Sequence, residues 1–100
     1  MESEMKKYMF LMYGFEKPTP EIMKAWTAWF ELVGDRIVDQ GGFHGGALEI
    51  SASGTKDLPI GMESITSYMT IEAESLDDAE RIAQLNPYIA SIRVYEIMGK

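Results

Sequence analysis

The sequence predicts an α+β domain in the order β-α-β-β-α-β, a four-stranded antiparallel sheet with two helices on one face. Three observations carry that prediction. β-like runs stand at 7–13, about 45–52, around 65–73 and 91–98. Two capped helical patterns fall after the first run and after the third. The whole rhythm occupies 100 residues, the size of one domain. Residues 6–100 are expected to form that domain, with a frayed stretch at 1–5.

In the first run Tyr8, Phe10 and Met12 point one way and Met9, Leu11 and Tyr13 the other, so both sides are apolar or aromatic. A strand of that kind is central and covered on both faces. The first helix is announced by Thr19 as N-cap, Pro20 at the first helical position and Glu21 at the positive end of the dipole. Ile22, Trp26, Trp29, Val33 and Ile37 then recur three or four apart as one stripe. Gly41-Gly42 is the expected stop. Gly34 inside the pattern costs roughly 1 kcal/mol against alanine, which the length of the stripe outweighs.

The second run, Gly-rich at its start, sets Leu48 and Ile50 against Glu49 and Ser51. Residues 53–61 are rich in turn formers and are expected to form a long loop. In the third run Ile65, Met69 and Ile71 share one parity, while Thr66, Tyr68, Thr70 and Glu72 share the other. Ser75 caps the second helix with Asp78 three residues on, and Leu76, Ala79, Ile82 and Ala83 form its buried edge. Pro87 ends that helix near Leu85, because the residue before a proline avoids helical dihedrals. In the last run Ile92, Val94 and Met98 oppose Arg93 and Tyr95.

The helices must cover the more apolar parity. The reverse face then presents Tyr68, Thr66, Thr70, Glu72, Arg93, Tyr95 and Glu49 beside the second side of the first strand. Such a surface is too aromatic to stay wet and too polar for a sealed core. Pairing with the same face of a second copy buries it, and a homodimer is expected.

Composition narrows the function. The formal net charge is −7, and the nine Lys and Arg residues are scattered, which argues against nucleic acid and against anionic lipid. There are no cysteines, so disulfides, thiolate metal sites and cysteine nucleophiles are excluded. The acidic N-terminus carries no apolar signal-peptide core, no run is long enough to span a membrane, and a cytoplasmic location is expected. One histidine, no cysteine and carboxylates without ligand spacing leave no metal set. No phosphate-cradling fingerprint is present, and no cofactor is expected.

Several segments resemble the YCII-related family, in the branch named for an Asp-Gly-Pro-Phe motif. Lys7-Tyr8-Met9-Phe10-Leu11-Met12-Tyr13-Gly14 is similar to its first strand and glycine exit. Pro20-Glu21-Ile22-Met23-Lys24-Ala25-Trp26 is similar to its first-helix opening. Gln40-Gly41-Gly42-Phe43-His44-Gly45-Gly46-Ala47-Leu48 resembles its helix-to-strand passage. Glu74-Ser75-Leu76-Asp77-Asp78-Ala79 resembles the start of its second helix, and Asn86-Pro87-Tyr88 falls at its helix-ending proline. The resemblance covers Lys6 to Met98 and implies a ferredoxin-like protomer forming a dimeric α+β barrel. Members of the wider superfamily include isomerases, dehalogenases, cofactor-free oxygenases and binding modules, so fold alone does not choose among them.

The departures matter as much. Better-defined relatives carry a catalytic histidine on the first helix, where this chain has only Trp26 to Phe30, and an Asp where Asn86 stands. The Asp-Gly-Pro-Phe motif is replaced by Leu58-Pro59-Ile60-Gly61. The chemistry implied for the family's His/Asp pair is therefore not expected here.

His44 is the weak catalytic candidate, as the one side chain whose ordinary pKa lies near neutrality. Tyr68, Arg93, Tyr95 and Glu72 form the candidate ligand-binding cluster, since an arginine beside two phenols can orient a small anion or carbonyl compound. Trp26, Trp29 and Phe30 read as core, and the eight methionines as adaptable packing. Two functions follow. The first is a non-catalytic homodimer that binds a small organic molecule or serves as an interaction module. The second is a cofactor-independent enzyme acting on a small carbonyl or aromatic acid. It would move protons with His44 or Tyr68 and Tyr95 and hold a carboxylate with Arg93.

Overall fold

A computed structural model describes residues 5–98. In chain order they form β1 (Lys6–Tyr13), α1 (Pro20–Val33), a 3₁₀ turn (Gly34–Arg36), β2 (Ile37–Gly42), β3 (Ala47–Ser51), β4 (Gly54–Leu58), β5 (Ile65–Ala73), α2 (Leu76–Gln84) and β6 (Ser91–Glu96). The main sheet runs β2-β5-β1-β6, and every pairing is antiparallel. β3 and β4 form a separate two-stranded hairpin. The fold is ferredoxin-like α+β, and the frayed stretch expected at 1–5 lies, except for Met5, outside the described residues.

β1 is central, as its two apolar sides require. Tyr8, Phe10 and Met12 point into the core with Met69, Ile71 and Ala73 of β5, beneath Trp29, Val33, Ala79, Ile82 and Ala83 of the helices. Trp29 ties the two helices together, because its Nε1 donates a buried 3.1 Å hydrogen bond to the Ile82 carbonyl. Both expected caps form: Thr19 Oγ1 accepts from Ile22 N and Ser75 Oγ from Asp78 N, each at 3.1 Å. Leu76, expected on the buried edge of α2, is exposed instead. It is the first residue of α2, just after the Ser75 cap, and the buried edge begins one turn on with Ala79.

The second sheet strand is not where the sequence placed it. α1 stops at Val33, and Gly34 opens the 3₁₀ turn rather than lying inside a longer helix. Ile37 therefore begins β2, and Gly41-Gly42 ends that strand instead of capping a helix. The run expected at 45–52 becomes one arm of the hairpin, and the loop expected at 53–61 contributes the other, β4. Glu49 consequently faces Lys56 across the hairpin and does not belong to the main sheet face. The β-branched pair Ile37-Val38 suits a strand better than a helix end, and tertiary pairing with β5 decides the matter.

β2 carries a bulge. Ile37 pairs with Ile71 but Asp39 pairs with Thr70, so one extra residue is inserted between them. An inserted residue reverses the alternation of faces beyond it. Asp39 and Gly41 thereby land on the uncovered side of the sheet, opposite the helices. The chain then leaves the sheet as the arm and returns to β5, and the two ends of this excursion are joined where Phe43 N donates to Thr66 O at 2.9 Å.

Below the N-terminus of α2, Asp78 gathers charge. Its carboxylate takes Arg36 Nη1 at 2.8 Å, Arg81 Nη2 at 2.5 Å and the Glu74 backbone N–H at 3.1 Å. The 3₁₀ turn is thus fastened to the second helix.

Candidate functional site

One parity of the main sheet faces away from the helices and forms the open face. Successive rows across the strands read Gly41–Tyr68–Leu11–Arg93 and Asp39–Thr70–Met9–Tyr95, with Lys7 opposite Glu72. Tyr68, Glu72, Arg93 and Tyr95 all lie on this side, away from the helices. They do not form one cluster. Tyr68 and Arg93 stand on strands separated by β1, so their backbones are roughly 10 Å apart. Glu72 lies two rows further along, and Tyr95 is exposed on the edge strand β6. Arg93 does not pair with Glu72 or Glu49 among the described residues; its guanidinium rests on the Tyr13 ring, 4.8 Å from the centroid.

Tyr68 is the best-held member. Its hydroxyl lies 3.2 Å from Asp39 Oδ2, and its ring stacks on Phe43 with centroids 5.6 Å apart. The Asp39 carboxylate beside it, then partial burial and the hydrogen bond, push its phenol pKa upward. A negative charge close by disfavours a second one. The phenol therefore keeps its proton well beyond neutrality. Sequence reasoning missed Asp39 because the contact spans 29 positions and depends on the bulge, for which the residues give no signal.

Between the open face and the arm lies a basin of about 820 Å³, walled by Leu11, Tyr13, Phe43, Leu48, Leu58 and Ile60. Its lining is mainly apolar, with the Glu63 and Ser64 segment at one border. Arg93 is not itself part of the wall; it adjoins the basin through the ring of Tyr13, which is. His44 is exposed in the connection from β2 to β3 and is not part of the wall. The wall offers aromatic rings to stack on, and the Arg93 cation lies beyond one margin of it.

Asn86, where the family resemblance expects an Asp, is only 4% exposed, and neither of its side-chain polar atoms has a hydrogen-bond partner among the described residues. It follows α2 on the helix side of the sheet, with Trp26, Trp29 and Phe30 packed as an aromatic group on α1. Among the described residues no group of three metal-ligating side chains occurs, and no helix is long and apolar enough to cross a membrane.

No family profile matches the sequence, and no curated protein does. Solved structures match in shape. The chain is similar to 5-chloro-2-hydroxyhydroquinone dehydrochlorinase (TftG) from Burkholderia phenoliruptrix AC1100 in complex with 2,5-dihydroxybenzoquinone. The TM-score is 0.60 at 15% identity, covering 94% of this chain and 95% of that one. It is also similar to 30S ribosomal protein S6 from Thermotoga maritima, with TM-score 0.50 at 12% identity, covering 94% and 89%. At these identities the likeness establishes the ferredoxin-like fold that the strand order already defines.

Proposed function

We propose that this chain, a single YCII-like domain over residues 6–100, acts in the cytoplasm as a homodimer that binds a small aromatic acid or hydroxylated quinone. The ligand lies in the basin over the open face. The observation that carries this reading is the basin itself, an apolar volume of about 820 Å³ with Arg93 at its margin through Tyr13. A volume of this size matches pockets that take drug-sized molecules. The Burkholderia dehydrochlorinase, of the same fold, is described with 2,5-dihydroxybenzoquinone, which supports that class as the first probe.

Binding is favoured over catalysis by what surrounds the basin. His44 is exposed and off the wall, and the Asp39 carboxylate holds the Tyr68 phenol in its protonated form. A general acid or base works best with a pKa near the operating pH. The cofactor-independent enzyme remains the second reading because the dehydrochlorinase shares the fold.

The test is a thermal-shift and calorimetric titration with 2,5-dihydroxybenzoquinone, hydroxyquinol and simple benzoates, with the recovered ligand examined by NMR. Saturable binding that weakens in Leu11→Glu and Arg93→Ala, with the ligand recovered unchanged, is the expected result. Turnover of a probe would establish the enzyme instead. Failure of all three classes to bind overturns the ligand assignment.

A further inference from the structure

The β3–β4 arm stands apart from the main sheet. All ten of its strand residues are exposed, and neither strand pairs with the main sheet. Leu48 is 57% and Ile50 77% exposed, side by side on one face of the hairpin. An isolated two-stranded hairpin is marginal in water at best, and branched apolar side chains on it belong against something. The molecule as a whole is spread out. Its radius of gyration is 15.2 Å, against about 13 Å for a compact chain of this length. It exposes 7306 Å², about a quarter more than the roughly 5,700 Å² usual for its mass.

We infer that the arm of each protomer lies across the open sheet face of a second copy, with Ile50 closing that copy's basin from outside. This inference rests on the homodimeric reading above and adds that the binding site is incomplete within one chain.

Two arguments select a second copy as the occupant. The first is area. Four strands at about 4.8 Å spacing and six residues at about 3.3 Å give a face of roughly 400 Å², half of the roughly 800 Å² per partner in a stable complex. The arm, nearly as long as the sheet strands and exposed on both sides, supplies the remainder. The second argument is charge. The chain carries −7, so two copies repel unless their contact is locally neutral. The open face sums to zero: Lys7 stands opposite Glu72, and Arg93 on one edge strand offsets Asp39 on the other in number. On the arm, Glu49 stands opposite Lys56, and Asp57, opposite Leu48, leaves one net negative charge. A two-fold interface presents the same patch to itself, and this patch holds only one net negative charge of the chain's −7.

The experiment compares the wild-type chain with Ile50→Glu. Ile50 is largely exposed and off the wall of its own basin, so the substitution leaves the protomer fold intact, as circular dichroism verifies. Mass is measured by light scattering across a dilution series, and amide hydrogen exchange is followed over residues 47–58. The expected result is a wild-type particle of twice 11.3 kDa whose arm amides lose protection on dilution. Ile50→Glu should then dissociate roughly 100-fold more readily, because a charge is placed in a desolvated contact. A wild-type monomer at every concentration overturns both this inference and the homodimeric reading. A wild-type dimer whose arm amides exchange freely, or that Ile50→Glu leaves unchanged, overturns the arm's placement alone.

Discussion

The ring of Tyr68 lies across the backbone of Gly41 on the neighbouring strand. A Cβ at position 41 would stand 2.6 Å from Tyr68 Cε1 and 3.1 Å from its hydroxyl oxygen. Only glycine permits the approach that brings the phenol to Asp39 and the ring onto Phe43. Gly41→Ala is expected to displace the ring and cost about 1–2 kcal/mol, the scale of overpacking, or several degrees in melting temperature. Because the two changes share one contact, Gly41→Ala combined with Tyr68→Ala should cost less than their sum in urea denaturation.

Asp78 should govern the acid side of stability. Arg36 foremost, then the Glu74 N–H and Arg81, hold its carboxyl far below the ordinary range, and its side chain is only 14% exposed. A carboxylate whose folded pKa is depressed contributes stability above its unfolded pKa, about 3.9, and loses it as pH falls toward the folded value. Asp78→Asn is expected to cost about 1–3 kcal/mol at neutral pH. The gap between wild type and variant should stay level from pH 5 to 8, about the plateau above the unfolded pKa, and narrow below about pH 4. Urea unfolding across that range measures it.

Tyr8 offers the opposite kind of substitution. Its hydroxyl is buried in the core and has no partner among the described residues. Tyr8→Phe removes that polar atom and should be neutral or stabilising by up to about 1 kcal/mol. A melting temperature well below wild type would show that the hydroxyl is satisfied in solution.

Trp29→Phe should be costly for a related reason. It keeps an aromatic ring but removes the donor to the Ile82 carbonyl and leaves space between the helices. A loss of about 2–4 kcal/mol is expected in chemical denaturation, larger than for the partly exposed Trp26.

Local signals were legible in the sequence, and distant ones were not. Thr19 and Ser75 cap their helices through bonds three residues away, which residue type and spacing specify. The alternation in β5 placed Met69 and Ile71 beneath the helices and Tyr68 and Glu72 on the open side. The second strand was misplaced because Val33 and Ile37 keep helical spacing across Gly34, and only pairing with Ile71 shows that the helix has ended. The hairpin left a fainter trace, the opposed charges Glu49 and Lys56 on either side of Ser53-Gly54. Within the site, Arg93 and Tyr68 share a face as expected, yet their distance depends on β1 lying between them. The partners they found, Tyr13 and Asp39, follow from strand order and a bulge that no short window of residues encodes.

The bond between Phe43 N and Thr66 O closes the base of the excursion independently of what hangs beyond it. Descendants of this chain can therefore lengthen, trim or exchange residues 44–58 without re-registering a single rung of the four-stranded ladder, while Ser64, whose carbonyl accepts from Gly14 N, holds the return to β5. The entropic toll of a longer insertion grows only logarithmically with its length. That joint is where recognition can diversify while the scaffold stays constant, and where an engineer would graft a foreign segment first.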